Sequence, residues 1–302
     1  MSDTKTPSYR VESPKGTNIS QFDGTCHGKG EKMVQVSVVI RARDEEQHLS
    51  DVLKMLREQT VPPSEVIVVN NYSSDARLVS FEDNMKKSGG LFKRKKIRVR
   101  LVSFPDRDFS HPYSTNVGIF FAENELVAIT NAHAFPASCS WLGFGLRHFL
   151  DRKVACVTGY SYPFEKNAPL SKVSQYVYYF SERFVLRFNW TSTVDCIIRK
   201  SLWQAYPFDE NLPQVIPEAK AYGCEDYDWS KEMEARGFKT VVDPQFSVFH
   251  SHERGFEEAR RNMANYLAQR PILHDIDRFK RPRRSFTRLE QMKKPDVRLL
   301  EL

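Results

Sequence analysis

Met33-Val34-Gln35-Val36-Ser37-Val38-Val39-Ile40, followed after a helical stretch by Glu65-Val66-Ile67-Val68-Val69, decides the fold of this 302-residue chain. Both runs are rich in β-branched residues and nearly continuous in apolarity, the pattern of strands buried on both faces. Between them, within Glu45 to Gln59, Leu49, Val52, Leu53 and Leu56 recur at helical spacing, and Val61-Pro62-Pro63 ends the helix. A strand, a helix of about four turns and a second apolar strand form a βαβ unit, whose crossover is right-handed and whose sheet is parallel.

The pattern continues outward. Arg98 to Phe104 reads as a third strand, Tyr113 to Ala122 as a helix and Leu126 to Thr130 as a fourth strand, so residues 33–136 form a Rossmann-like nucleotide-binding half. Neither GxGxxG nor GxxxxGK[ST] occurs there, so the phosphate cradle of a dinucleotide or P-loop site is missing. Beyond Pro136 the pattern is less regular. Helices are expected at 141–150, 173–188 and 228–236, the last closed by Gly237, and strands at 154–160, 240–242 and 246–249. Residues 137–255 are expected to complete the same domain. A polar arm at 1–32 precedes it, and a helix near 256–269 with a basic tail, together 256–302, follows.

With 40% hydrophobic and 27% charged residues, the composition is that of a soluble globular protein rather than a disordered or fibrous one. No apolar run reaches the roughly 18 residues of a membrane span, and the N-terminus lacks a signal-peptide core. A cytoplasmic location is therefore expected. Five scattered cysteines without a CxxC pair argue against a disulfide framework. The formal charge of +7 is concentrated in Lys93 to Arg100 and Arg278 to Arg284, runs that suit phosphorylated ligands or the anionic inner face of a membrane. A nucleic-acid partner is the weaker reading of the same charge.

The ends of the strands carry the chemistry. Alternate residues on a strand share a face, so Asn131 and His133, in Asn131-Ala132-His133-Ala134-Phe135-Pro136, leave the fourth strand together. The carboxyl ends of strands are where open α/β sheets bind ligands. The first strand runs into Arg41-Ala42-Arg43-Asp44-Glu45-Glu46 and the second into Asn70-Asn71-Tyr72-Ser73-Ser74-Asp75. Further along stand Asp106 to Gly118, with Asn116-x-Gly118, then Asp195 to Trp203, Cys224-Glu225-Asp226-Tyr227-Asp228-Trp229 and Val248-Phe249-His250-Ser251-His252.

In order and spacing these segments resemble the family 2 glycosyltransferases of GT-A fold, rhamnosyltransferase-like members included. The resemblance implies an α/β fold with a mostly parallel, Rossmann-like central sheet flanked by helices and an acceptor-side C-terminal half. It implies a nucleotide-sugar donor held by Arg41, Arg43, Glu45, Asn70, Asn71, Ser73, Asp75 and Asn116, with Asn131 and His133 standing where the family has its metal-binding D-x-D. Asn70 and Asn71 replace two acids of the family pattern.

It further implies Asp226 as the general base of an inverting transfer, with Glu225 orienting it, and Arg199, Lys200 and Trp229 on the acceptor or phosphate side. The acceptor class is a glycan or a lipid-linked saccharide, met by peripheral contact with the membrane. A divalent metal, Mn or Mg, would be held by His133 with His250 or His252, a nitrogen-rich set unusual for Mg. The alternative is that His133 stands in for the metal by contacting phosphate directly. The rival reading is a catalytically inactive GT-A-like domain that binds a nucleotide, a glycan or a protein partner.

Overall fold

The chain divides into Met1–Val34 and Gln35–Leu302. The computed structural model describes residues 35–44, 48–89, 97–162, 190–215, 224–250, 287 and 297–301, all in the second unit. The arm at 1–32, the expected helices at 173–188 and 256–269, the charge runs at 93–96 and 278–284, Glu45 and His252 lie outside the described residues.

The apolar runs form strands β1 (Val36–Arg43), β2 (Glu65–Tyr72), β3 (Arg98–Pro105) and β4 (Leu126–Asn131). These are mutually parallel, with β2 on one side of β1 and β4 on the other. Helix α1 (Leu49–Arg57) buries Leu49, Val52, Leu53 and Leu56, as their spacing dictates. Helix α2 (Asp75–Gly89) has a thinner apolar pattern, burying only Leu78, Phe81 and Met85 among its hydrophobic residues. Together α1 and α2 cover the sheet face that carries Val36, Val38 and Ile40.

Helix α3 (His111–Phe121) covers the opposite face, against Val39 and Val69. Its start is set by Ser110, whose side chain accepts the Tyr113 N–H at 3.2 Å, and by Pro112 in its first turn. The crossover helices therefore change face between β1 and β4. That change makes the carboxyl ends of these two strands the topological switch point, where such sheets open a ligand crevice.

Gly118 explains how closely α3 can approach. A Cβ there would stand 2.3 Å from Val39 Cγ1 and 3.0 Å from Val69 Cγ2, both on fully buried side chains. Gly118→Ala is expected to destabilise the fold by about 1–3 kcal/mol through overpacking. The urea midpoint of unfolding measures it, and an unchanged midpoint would show that α3 can shift without loss.

After β4 come β5 (Ala134–Pro136), α4 (Trp141–Leu146), β6 (Val154–Thr158) and β7 (Ser161–Tyr162). Next are β8 (Asp195–Arg199), α5 (Lys200–Ala205), α6 (Leu212–Val215) and α7 (Glu225–Ala235). The last strands are β9 (Lys239–Val242), β10 (Val248–His250) and β11 (Arg298–Glu301). The main sheet runs β11-β3-β2-β1-β4-β8-β6-β9, and a smaller one runs β5-β10-β7.

The pairing of β8 with β4 is antiparallel, Thr130 facing Asp195 and Leu126 facing Arg199. This reversal brings the start of β8, not its end, to the crevice. Among the described residues no helix is long and apolar enough to cross a membrane. Of the described cysteines, Cys156, Cys196 and Cys224 are buried, Cys139 is exposed, and all are free thiols.

Candidate functional site

Arg41 and Asn131 are register partners across the switch point. The Arg41 side chain follows the α3 face of β1, and its guanidinium ties four segments together. Nε donates to Asn131 Oδ1 at 3.1 Å, one terminal nitrogen to Thr115 Oγ1 at 3.2 Å and the other to the Thr193 carbonyl at 3.1 Å. Burial lowers the Arg41 pKa, and the charges of Glu225 and Asp226 oppose that shift. A planar fork of five donors suits such multi-point anchoring better than a lysine would.

Glu225 and Asp226 open α7. The preceding Cys224 adopts the left-handed conformation, with φ 56° and ψ 15°, unusual for a residue with a Cβ. Asp226 is half-buried and accepts two backbone N–H groups, from Tyr227 at 2.8 Å and Thr193 at 3.3 Å. Thr193 thus serves both partners, with its carbonyl on Arg41 and its N–H on Asp226. Burial raises the Asp226 pKa, while those N–H groups and the Arg41 charge pull it back.

Glu225 is buried and is pushed up to about 8, first by burial and then by the Asp226 charge, with Arg41 opposing. The two carboxyls share one cation, and Asp226 has the better hydrogen bonds for holding a negative charge. Two adjacent acids in unlike surroundings suit a base and an orienting neighbour.

On the other side of the crevice, His133 meets His250. Antiparallel pairing of β10 with β5 sets His250 opposite Ala134, so two histidines 117 residues apart in sequence come together. Their Nε2 atoms are 3.1 Å apart and the rings stack at 22° with centroids 4.8 Å apart. Asn131 Nδ2 lies 3.5 Å from His250 Nε2. Metal–imidazole bonds of about 2.1 Å meeting at a right angle would place two nitrogens about 3.0 Å apart, so the pair has the spacing of adjacent ligands on one ion. Among the described residues no third His, Cys, Asp or Glu joins them, and Asn131 Oδ1 is engaged by Arg41.

The third part of the crevice lies over β1, β2 and β3. Arg43 and Asn71 are register partners, and both reach Asp106 just beyond β3. Arg43 pairs with its Oδ2 at 2.7 Å and Asn71 Nδ2 donates to its Oδ1 at 2.7 Å. The carboxylate missing from the end of β2 is therefore supplied from the end of β3. Asp44, in the left-handed region at φ 49°, accepts the Ser73 N–H at 2.8 Å and ties the two strand ends together. Asp75 is exposed in the first turn of α2. Asn70 points to the other face, fully buried, with neither amide atom hydrogen-bonded.

Four more of the residues expected at the site stand elsewhere. Asn116 is buried in α3, with its Nδ2 on the Phe208 carbonyl, Glu210 and Thr287 and its Oδ1 on Trp203 Nε1 and the Phe208 N–H. With its hydrogen-bonding capacity taken up by protein, it clamps the 206–210 loop and has nothing left for a nucleotide. Arg199 and Lys200 lie at the opposite edge of the sheet, because β8 runs antiparallel to β4. Arg199 holds the carbonyls of Phe149, Asp151 and Val154, and Lys200 those of Phe120 and Ala122. Trp229 is wholly buried and donates to the Tyr206 carbonyl at 2.9 Å.

In turn, Thr115, Thr193 and Asp106 belong to the crevice though no motif marks them. Asp106 alone left a trace in the sequence, as the acid that opens the Asp106 to Gly118 segment.

The description "Glycosyl transferase family 2" fits residues 37–201 of the 302. No curated protein matches the sequence with significance. Among solved structures, the mannosyltransferase PcManGT from Pyrobaculum calidifontis, in complex with GDP-Man and Mn2+, aligns with a TM-score of 0.58 at 18% identity. The alignment covers 80% of this chain and 64% of that one, so this chain spans less than two thirds of that protein's length. A mycobacterial protein aligns with a TM-score of 0.52 at 14% identity, covering 78% and 74% of the two chains. TarS of S. aureus, residues 1–349, gives 0.51 at 14% identity, covering 82% and 74%. At these identities the likeness is one of fold.

Proposed function

The chain belongs to glycosyl transferase family 2, and from that premise we propose that it moves a sugar from a nucleotide-sugar to a hydroxyl acceptor in one inverting displacement. The observation that carries the reading is the Asp226 carboxylate, held by two backbone N–H groups and joined through Thr193 to Arg41 at the switch point. The acceptor oxygen attacks the anomeric carbon as the bond from that carbon to the diphosphate oxygen breaks. Its proton passes to Asp226, and the electron pair leaves with the nucleoside diphosphate. Glu225, pushed up to about 8 by burial and by the Asp226 charge, resists adding a second charge beside the base.

Arg43, Asn71 and Asp106, with Asp44 and Ser73 behind them, form the polar end of the crevice suited to the nucleoside, and Asn131 with His133 the end suited to the diphosphate. PcManGT holds GDP-Man and Mn2+, which supports a hexose or deoxyhexose nucleotide as the donor class here. His133 and His250 would hold a divalent ion, and their two nitrogens fit Mn better than Mg. Such an ion would offset charge on the departing diphosphate. A glycan or lipid-linked saccharide is the acceptor class, consistent with a basic chain.

A screen of UDP- and GDP-sugars, with and without Mn2+, tests the reading. At least one is expected to raise the melting temperature, by ligand linkage, and to release nucleoside diphosphate slowly by hydrolysis. If none binds under either condition, the donor assignment fails. Tight binding without turnover, even with added glycan acceptors, would favour an inactive binding domain.

A further inference from the structure

Asp195 begins β8 opposite Thr130 and is completely buried. Its Oδ1 accepts the Trp141 Nε1–H at 3.1 Å, whereas its Oδ2 has no donor. Gly159 locates that oxygen. A Cβ on Gly159 would stand 1.2 Å from the Phe246 carbonyl oxygen and 2.5 Å from Asp195 Oδ2, so the two oxygens are at most 3.7 Å apart, the sum of these distances. An ionised carboxylate there would set the Oδ2 lone pairs against those of the Phe246 carbonyl, with no hydrogen bond donated to Oδ2 in return. One proton between them removes the conflict.

We propose that Asp195 is a neutral carboxylic acid whose Oδ2–H donates to the Phe246 carbonyl, a staple that sets the path of the chain into β10 and so places His250 beside His133. The side chains around the carboxyl are neutral. Trp141 from α4 is its donor, the Thr130 hydroxyl faces it from β4, and Thr158 of β6 donates to the Asp195 main-chain carbonyl at 2.7 Å. The titratable thiols of Cys156 and Cys196 belong to the opposite face. Burial holds the carboxyl well above the usual range, and the Trp141 N–H only partly opposes this. The pattern is that of a buried acid kept neutral in order to donate.

From the staple to the histidine the chain has little freedom. Phe246 stacks on Trp141, with ring centroids 4.8 Å apart and planes 12° apart, and its N–H binds the Asp243 carbonyl at 3.0 Å. The Val248 N–H binds the Tyr160 carbonyl at 3.0 Å, and His250 then pairs with Ala134. Asp195 is thus a positioning residue, and its importance for sugar transfer rests on the function proposed above. Its protonation and its hold on β10 do not.

Two measurements test it without any substrate. In the infrared difference between wild type and Asp195→Asn at pH 7, in which the Glu225 carboxyl is common to both and cancels, a carboxylic-acid C=O band is expected to be lost in the variant. Nitrogen-correlated NMR of the imidazoles is expected to show His133 and His250 unmoved in Asp195→Asn, whose amide can still donate, and displaced in Asp195→Leu. His111, on α3, stays in place in both variants as the control. A difference spectrum without that lost band would overturn the proposal. So would unchanged His133 and His250 signals in Asp195→Leu. If the leucine variant does not fold, the band comparison between wild type and Asp195→Asn still decides the protonation state on which the staple depends.

Discussion

Asp226→Asn is expected to lower kcat for nucleotide-sugar turnover by roughly 10²–10⁴-fold, the usual contribution of a positioned general base. The fold should survive. The amide oxygen can still accept the shorter of the two bonds, from the Tyr227 N–H, while the 3.3 Å bond from the Thr193 N–H to the other oxygen is lost, so the melting temperature should fall only slightly and the donor KM should stay near that of the wild type. Loss of kcat with KM retained is the mark of an interaction made only in the transition state. The variant should also lose the acid limb of the pH–rate profile, because the group that must be ionised is gone. Turnover at the wild-type rate would remove Asp226 from the mechanism and, with it, the observation on which the transferase assignment rests.

Arg41→Gln carries the second large effect, and pH separates its two causes. Arg41 is the cation that opposes protonation of both Glu225 and Asp226. Without it both carboxyl pKa values rise, so Asp226 is ionised in a smaller fraction of molecules at pH 7. Activity at pH 7 should fall as that fraction falls. Raising the pH should restore part of it, with the acid limb displaced upward.

Arg41→Lys separates charge from geometry. It keeps the positive charge but loses the fork that reaches Asn131, Thr115 and Thr193 together. Its acid limb should remain near the wild-type position while kcat still falls. An Arg41→Gln profile lowered uniformly, without displacement, would mean that Arg41 acts only as a structural tie.

Much of the sheet was legible because its strands advertise themselves locally. Val36 to Ile40 and Glu65 to Val69 are buried on both faces, so their apolarity is continuous, and the spacing of Leu49, Val52, Leu53 and Leu56 leaves one face for α1. Gly118 and Asn116 were visible as a pattern, but the pattern did not reveal the reason. One admits Val39, and the other clamps a loop 92 residues away, with its Nδ2 on the Phe208 carbonyl at 2.8 Å. Residues of α2 were hard to read because few of their side chains are buried and apolar. Arg199 and Lys200 were misplaced for a different reason. Local sequence marks a strand but not its direction, and reversing β8 exchanges the two edges of the sheet.

By itself the sequence determined the strands and helices from β1 to β4 other than α2, that β1, α1 and β2 form a parallel unit, and that Asn131, His133, Glu225 and Asp226 stand at element ends. These properties depend on side-chain periodicity and chain stops over a few residues. Only the tertiary structure decided that His250 lies against His133, that Thr193 links Arg41 to Asp226, that Asp106 supplies the acid absent from β2, and that Asp195 meets the Phe246 carbonyl. Each of these contacts joins residues far apart in the chain. Strand order, strand direction and the burial that shifts a proton set them, and none of the three is a property of a local stretch of sequence.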